Sequence, residues 1–536
     1  MDPSPPEPDL AEESQRPAAR ERPTGLMDIL RRYRLVIILL GISILFVFYI
    51  NQVSTNPPGF YVDESAIAYN AYCIAHTGAG EFGNRHPLFF PVYTHGWIQY
   101  ANPTQIYLLA IPFTVLRPSI TVARVFSASW VFLACVLVGL LATRVSGQRR
   151  IGIIVGTIAI LTPWLFEVSR LVMETFFYPM ALVLFLLAVF RAQRKETWNW
   201  PSIILLAATL MLLTYTYTIG RLLAPLLAFG LVFFITSHDR LIGVIKTWVV
   251  FALTLIPLLI FRSKHPEALT QRFYLISYIK PNSPWKEILP TFIRRYLSDF
   301  SLVNLLIDGD GNPRHHVQGS LGSFLIGAFI LAAIGLGVII VRHWREPWWR
   351  FVIFGAAAAI VPGALTPDQF HSLRMVAYPV FLLVLMIPGL QFLLEYVPAR
   401  SDTPEAVPSP TLSRFARQRI LAVLLAVAVL QVVYFQSVYR REGRDRGWVF
   451  DADYKELYDA AVALPQRPIY LSDGTGPAYE HAYWYAAVEG RKVSEFVHLE
   501  EGHRAPIGSL VIGSQTTCAN CQVILKSGDY LLYRSF

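Results

Sequence analysis

The sequence predicts a mainly α fold: a polytopic transmembrane helical bundle closed by a small soluble α/β C-terminal domain. Three observations lead there. Hydrophobic residues make up 54% of the 536 and charged residues 15%, with a mean hydropathy of +0.43, too apolar for an ordinary soluble surface. Apolar runs of membrane-crossing length recur, and alternate connections between them are basic. After residue 437 these runs give way to short β-like segments between turns.

Residues 1–30 are rich in Pro, Glu, Ser and Arg without an apolar face, the composition of a disordered cytoplasmic tail. The first apolar run, 35–50, follows Arg31, Arg32 and Arg34 and has no small-residue cleavage site before Pro57, so it is expected to stay as an anchor. Further runs at 125–143, 151–166, 175–190, 202–217, 221–236, 243–261, 321–341, 351–366, 375–396 and 420–436 bring the total to about eleven spans. The stretch 104–116 is short, with Pro112 inside it and Pro118 behind it, and reads as an interfacial helix of the first outer loop. Arg144, Arg149 and Arg150 follow the second span, Arg191, Arg194 and Lys195 the fourth, and Arg240 and Lys246 flank the sixth-to-seventh turn. Arg342, Arg345 and Arg350 follow the eighth, and Arg400, Arg414, Arg417 and Arg419 the tenth. This alternation places the N-terminus in the cytoplasm and, with an odd count, the C-terminus outside a plasma (cytoplasmic) membrane crossed many times. The organisation expected is a tail over 1–30, a transmembrane domain over 31–437 and an extracytoplasmic α/β domain over 438–536.

The net charge of +9 is spread in short clusters between apolar runs, which argues for helix orientation and against nucleic acid as a partner. An exception is the outer loop 262–320, where Arg262, Lys264, Arg272, Lys280, Lys286, Arg294, Arg295 and Arg314 accumulate on the side usually poor in cations. An anionic ligand and lipid head groups explain that equally well. The run Ser472-Asp473-Gly474-Thr475-Gly476 lacks the residues of a nucleotide loop and reads as a turn. Cys73 and Cys135 sit in apolar surroundings, whereas Cys518 and Cys521, outside the cytoplasm, are expected to form a local disulfide.

Candidate chemistry gathers at outer ends of the spans. Asp63 and Glu64 are adjacent carboxylates after the first apolar helix, and acidic groups at a membrane boundary face water or a cavity. Asp63 fits either a cap on a helix striped by Ile67, Ala71 and Ile74 or a cavity-facing acid. Glu167, Arg170 and Glu174 would share one helix face if the helix persists, as an ion-paired face or as part of a site. Tyr215-Thr216-Tyr217 with Arg221, and His371 with Arg374, bring aromatic rings, an imidazole and guanidiniums to two further turns. Arginine at such depths either snorkels or grips phosphate through paired donors. A carboxylate base beside a phosphate clamp suits transfer of a sugar activated as a lipid phosphate, whose leaving group needs cations rather than a strong acid. Neighbouring side chains point apart, so Asp63 is read as the base and Glu64 as a residue orienting substrate or structure.

These residues resemble the membrane glycosyltransferases of the GT-C fold, in the branch of the protein O-mannosyltransferases and bacterial aminoarabinose transferases. The resemblance rests on Gly59-Phe60-Tyr61-Val62-Asp63-Glu64 with Tyr69-Asn70-Ala71-Tyr72, and on His86-Pro87-Leu88-Phe89-Phe90. It continues through Ser169-Arg170 with Glu174, Tyr215-Thr216-Tyr217 with Arg221, and His371-Ser372-Leu373-Arg374 before Pro379. It implies an enzyme that takes a sugar from a polyprenyl phosphate carrier and passes it, with inversion, to a protein, lipid or glycan acceptor at the outer face of the bilayer. The acidic residue at the catalytic centre falls on Asp63, with Glu64 beside it. The carrier phosphate falls on Arg221 and Arg374, with Arg272 and Arg170 as weaker candidates, and the substrate pocket on Tyr61, Tyr69, Tyr217, Glu174 and His371. Some relatives bind a divalent metal, but no full ligand set is matched, so the cofactor is left open. The stretch Thr94-His95-Gly96-Trp97-Ile98-Gln99-Tyr100 departs from many bacterial relatives and leaves the acceptor undetermined. The competing readings are a transporter or flippase of a lipid-linked saccharide, which calls for ionisable residues deep within spans, and a non-enzymatic assembly factor.

Overall fold

The computed structural model describes residues 33–94, 97–394, 413–473, 478–500, 502–514, 518 and 521–536. The expected tail over 1–30, Arg400, His95, Gly96 and the turn residues 474–476 lie outside them. The chain divides into two compact units, one ending at Phe48 and the other running from Tyr49 to Phe536. The first carries most of the apolar helix Arg34–Ile50.

Within the second unit, Val62–Thr77 is followed by a hairpin, β1 (Phe90–Thr94) and β2 (Trp97–Ala101), and by the helix Pro103–Phe113. The segment 104–116 is therefore helical only through Phe113, and the hairpin before it had no sequence signal strong enough to be read. Ile120–Ser146 is long and apolar enough to cross a membrane, as are His238–Lys264, Ile326–His343, Pro347–Ala364 and Arg414–Asp445. Arg149–Leu161 and Pro163–Ser169 form a pair bent by 58°. Shorter apolar helices are Val36–Ile50, Tyr178–Gln193, Trp200–Thr216, Gly220–Phe234 and Tyr378–Leu394. Each expected apolar run falls on one of these elements.

Local chemistry sets their ends and their packing. The Ser119 hydroxyl accepts the Val122 amide at 3.2 Å and starts Ile120–Ser146, and Gly147, in the left-handed region, ends it. Against this helix lies Arg149–Leu161, with Gly139 facing Gly152 and Gly156 so closely that a Cβ on Gly139 would stand 2.7 Å from the Gly152 carbonyl oxygen. Small residues on both sides permit that approach, the usual device where lipid removes the hydrophobic drive for helix association.

The C-terminal segment holds a five-stranded sheet in the order β4 (Phe496–Leu499), β3 (Ile469–Ser472), β5 (Leu510–Ser514), β7 (Tyr530–Ser535), β6 (Cys521–Ser527). β3 runs parallel to β4 and β5, and β7 antiparallel to β5 and β6. Helices Tyr454–Ala463 and Tyr479–Glu489 accompany it. Cys518 and Cys521 are joined as a disulfide, with Cα atoms 5.6 Å apart.

The membrane helix before this segment runs on to Glu442, past the expected boundary at 437. The sheet does not stand apart either. Its buried Ile469 and Leu532, with Tyr458 and Trp484 of the accompanying helices, share one hydrophobic core with Phe60, Ile67 and Tyr69 of the first loop. Asp451 accepts the Val62 amide at 3.2 Å and lies 3.3 Å from His481 Nε2, whose Nδ1 is 2.9 Å from Ser65 Oγ. Gly59, at φ +74°, leaves no room for a Cβ beside the Phe450 carbonyl.

Candidate active site

The adjacent carboxylates take opposite roles because a helix turns successive side chains by about 100°. Glu64, at the third position of Val62–Thr77, folds back and accepts the Tyr61 amide at 3.0 Å, the acidic half of a capping box. Its two oxygens also accept Arg124 Nε at 3.0 Å and Nη2 at 2.7 Å, and the Val172 amide at 3.0 Å. Both partners of this ion pair are fully buried. The expectation of a catalytic Glu64 meets a carboxylate that is fully engaged, so Glu64 is a structural anchor and also supplies the cap that Asp63 was one candidate for. Asp63 is exposed and makes no hydrogen bond among the described residues.

Asp63 opens into a cavity of about 1160 Å³ that also takes Tyr61, Glu174, Tyr217, Arg221, Arg272, His371 and Arg374 into its wall. These residues come from five separate stretches of chain and meet in one chamber. Glu174 is locked: its Oε1 accepts the Asn102 amide at 2.6 Å and its Oε2 the Asn102 side-chain amide at 2.8 Å, while Asn102 Oδ1 accepts Arg221 Nη2 at 2.9 Å. Arg221 also lies over the Phe89 ring, 5.0 Å from its centroid. This chain of contacts fixes both a guanidinium and a carboxylate at the mouth of Gly220–Gly230. Arg374 Nη1 donates to Thr366 Oγ1 at 2.7 Å and pairs with Asp368.

Arg272 makes no hydrogen bond among the described residues. Burial alone would loosen its proton, but the charges of Glu174 and then Asp63 more than reverse this and raise its pKa. The guanidinium therefore sits within electrostatic reach of the carboxylate that points into the cavity.

Two expected site residues lie elsewhere. Arg170 is buried and donates to the carbonyls of Asn51 at 3.1 Å and Tyr49 at 2.6 Å, with Phe166 stacked 4.3 Å away. Its cation closes off helix-end carbonyls and does not line the chamber. Tyr69 packs 5.4 Å from Tyr483 in the shared core. Nor do Glu167, Arg170 and Glu174 share a face, because the helix Pro163–Ser169 ends between them. Glu167 instead binds His316 Nδ1 at 2.6 Å and the Val317 amide at 2.8 Å.

The structure adds residues that were not read from the sequence as site residues. Arg314 stacks 3.6 Å from the centre of the Tyr61 ring. Asp310 and His315 come from the same loop, and Trp448 from the C-terminal segment. Ligand atoms of Asp310, His315 and His371 lie within 4.8 Å of one another, making these the residues able to hold a metal ion among those described. Burial raises the Asp310 pKa, but the hydrogen bond and charge of His315, then His371, drive it below the usual carboxylate range. Burial, then the charges of His315 and Arg374, push the His371 pKa down. The sequence signal for this group was Asp310 and the histidine pair at 315–316 inside a loop already marked by its cations.

No family model matches the chain, and no curated protein matches it by sequence. Its fold is nonetheless assigned by structure: the chain has the GT-C fold of membrane glycosyltransferases. It is similar to ArnT, the aminoarabinose transferase from Cupriavidus metallidurans, in the apo state, at 13% identity and a TM-score of 0.57 over 94% of this chain and 98% of that one. ArnT bound to undecaprenyl phosphate matches at 12% identity and a TM-score of 0.54, over 93% and 97%. The archaeal oligosaccharyltransferase AglB from Archaeoglobus fulgidus, in complex with an inhibitory peptide and a dolichol-phosphate, matches at 14% identity and a TM-score of 0.53, over 90% and 70%.

Proposed function

We propose that this chain is a glycosyltransferase that moves a sugar from a polyprenyl phosphate to an acceptor hydroxyl at the outer face of a membrane. One cavity holds an unengaged carboxylate together with several guanidiniums, and that juxtaposition carries the reading. Asp63 takes the proton of the acceptor hydroxyl as its oxygen attacks the anomeric carbon. The bond from that carbon to the phosphate oxygen breaks, and the charge arriving on the phosphate is met by Arg272, Arg221 and Arg374. Attack from the side opposite the departing phosphate inverts the anomeric centre. Asn102 and Glu174 hold Arg221 in place for this, so little reorganisation is needed when the phosphate charge develops.

Similarity in fold to ArnT with undecaprenyl phosphate and to AglB with a dolichol-phosphate and a peptide supports a polyprenyl phosphate donor and leaves the acceptor class open among protein, lipid and glycan. The expected eleven spans and a cytoplasmic N-terminus are consistent with the placement of charge. Cavity residues belong to connections assigned to the outer side or to the span ends beside them, and Arg144, Arg191, Arg240, Arg345 and Arg417 to the alternate connections. The experiment is to incubate purified protein with a panel of polyprenyl phosphate sugars and follow release of the free carrier by mass spectrometry. Sugar-dependent carrier release in the wild type, lost in Asp63→Asn, is expected. Movement of intact lipid-linked sugar across vesicles without release would instead favour a transporter.

A further inference from the structure

We propose that Glu81 and Glu480 share one proton and so form a pH-sensitive clasp between the first loop and the C-terminal segment, closed in acid and opened by alkali. Glu81 lies just past the end of the helix Val62–Thr77, which carries Asp63 near its start, and Glu480 stands in the first turn of Tyr479–Glu489. Asn70 holds Glu81 in place: its Nδ2 donates to Glu81 Oε2 at 3.0 Å, and its Oδ1 accepts the Glu81 amide at 3.1 Å. Glu480 is fully buried. Glu81 Oε1 and both Glu480 oxygens are buried and meet no donor in bonding geometry among the described residues, while the two carboxyls lie within hydrogen-bonding reach of each other.

Other buried carboxylates of this chain are served by donors. Glu64 receives Arg124 and two backbone amides, and Glu174 receives Asn102. Two carboxylates can only accept, so they cannot bond each other unless one of them carries a proton. The groups around the pair supply no substitute. Tyr479, beside both carboxyls, has one hydroxyl proton to give. Asp473 adds negative charge to Glu480, and His498, the basic group that acts on Glu81, already pairs through Nε2 with Asp473 at 2.6 Å. Tyr69, Cys73 and Tyr483 also stand within electrostatic reach of Glu81, and burial raises the pKa of all three, so they add no charge.

Burial lifts the Glu480 pKa, aided by the charge of Glu81, and burial lifts Glu81 itself from 4.5 to about 7. The native pair thus holds its proton more tightly than the unfolded chain does. The stability it contributes is full below pH 4.5 and lost as pH rises through about 7, when two adjacent buried charges face each other. Asp451 holds the start of the same helix through the Val62 amide, so opening is expected at the end away from Asp63.

The test follows the full chain in detergent from about pH 5.5 to about pH 8.5 by hydrogen exchange and infrared spectroscopy. Once intrinsic exchange rates are divided out, protection of residues 70–81 and of Tyr479–Glu489 is expected to fall by up to about tenfold per pH unit above the Glu81 value, the slope for release of one proton. The infrared band of a protonated carboxyl, taken as wild type minus Glu480→Gln, is expected to fade over the same range. In Glu480→Gln an amide donor replaces the shared proton, so protection is expected to stay level across pH. Glu81→Gln, expected to behave in the same way, decides the matter if gel filtration and thermal melting show Glu480→Gln to be misfolded. Level protection in the wild type, or a band and pH profile unchanged in a folded glutamine variant, overturns the clasp. Loss of protection at the acid end on adding a chelator would put a cation where the proton is placed and overturns it as well. None of these readouts depends on sugar transfer, so failure here and failure of the transferase reading remain distinguishable.

Discussion

Replacing each of the neighbouring carboxylates by its amide should produce opposite phenotypes. Glu64 receives four donors: two from Arg124, one from the Tyr61 amide and one from the Val172 amide. In Glu64→Gln one oxygen becomes an NH₂ group facing two of those donors, and the buried Arg124 charge loses its counter-ion. Breaking a buried pair from one side costs about 3 to 5 kcal/mol. Arg124 also donates to the carbonyls of Pro57 at 2.6 Å and Gly59 at 3.0 Å, so the loss spreads to the segment that places Asp63. Asp63→Asn, exposed and unbonded, should change stability by less than about 0.5 kcal/mol while lowering transfer by roughly 10²- to 10⁴-fold. Thermal unfolding in detergent and carrier release measured on the same preparations separate the two effects. A Glu64→Gln protein that melts with the wild type, or an Asp63→Asn protein as unstable as Glu64→Gln, would refute the division of roles.

Three further outcomes follow from the same geometry. Arg272→Ala should weaken binding of polyprenyl phosphate by roughly 10- to 150-fold, the equivalent of losing about 1.5 to 3 kcal/mol of charge-assisted bonding; Arg374→Ala should cost less, because Arg374 already shares its charge with Asp368, and fluorescence titration in detergent micelles compares them. Asp299 caps the Phe370 amide at 3.0 Å, and burial lifts its pKa from 3.8 to about 6. Its native form therefore binds the proton more tightly than the unfolded chain does, and the stability it contributes is present below pH 3.8 and lost as pH rises through about 6. Asp299→Asn should flatten that part of the melting profile across pH. Gly59→Ala meets both a left-handed backbone and the Phe450 carbonyl, so it should destabilise by more than about 1 kcal/mol and expose the segment around Phe450 to limited proteolysis.

Much of the architecture was legible because membrane burial writes itself into local composition. A run of apolar residues must satisfy its own backbone as a helix, and cations mark alternate ends, so neither property needs a distant contact to be read. Asp63, Tyr217, Arg221 and Arg374 stood out for a related reason: polar groups beside lipid need a purpose. Arg170 and Tyr69 carried the same outward signal and went into the interior instead, since a guanidinium that closes off backbone carbonyls and one that faces a cavity look alike in sequence. Asn102 and Asp310 give no such signal, because their partners Glu174 and Ser372 lie far along the chain.

Taken alone, the order of residues determined which apolar segments are helices, where the charged turns lie and that an acidic pair follows the first apolar run. Tertiary structure decided which member of that pair is anchored and which faces the cavity, because the choice depends on an arginine 60 positions away reaching Glu64. It also decided that the C-terminal sheet shares its core with the first loop, a matter of complementary buried surfaces that no local pattern encodes.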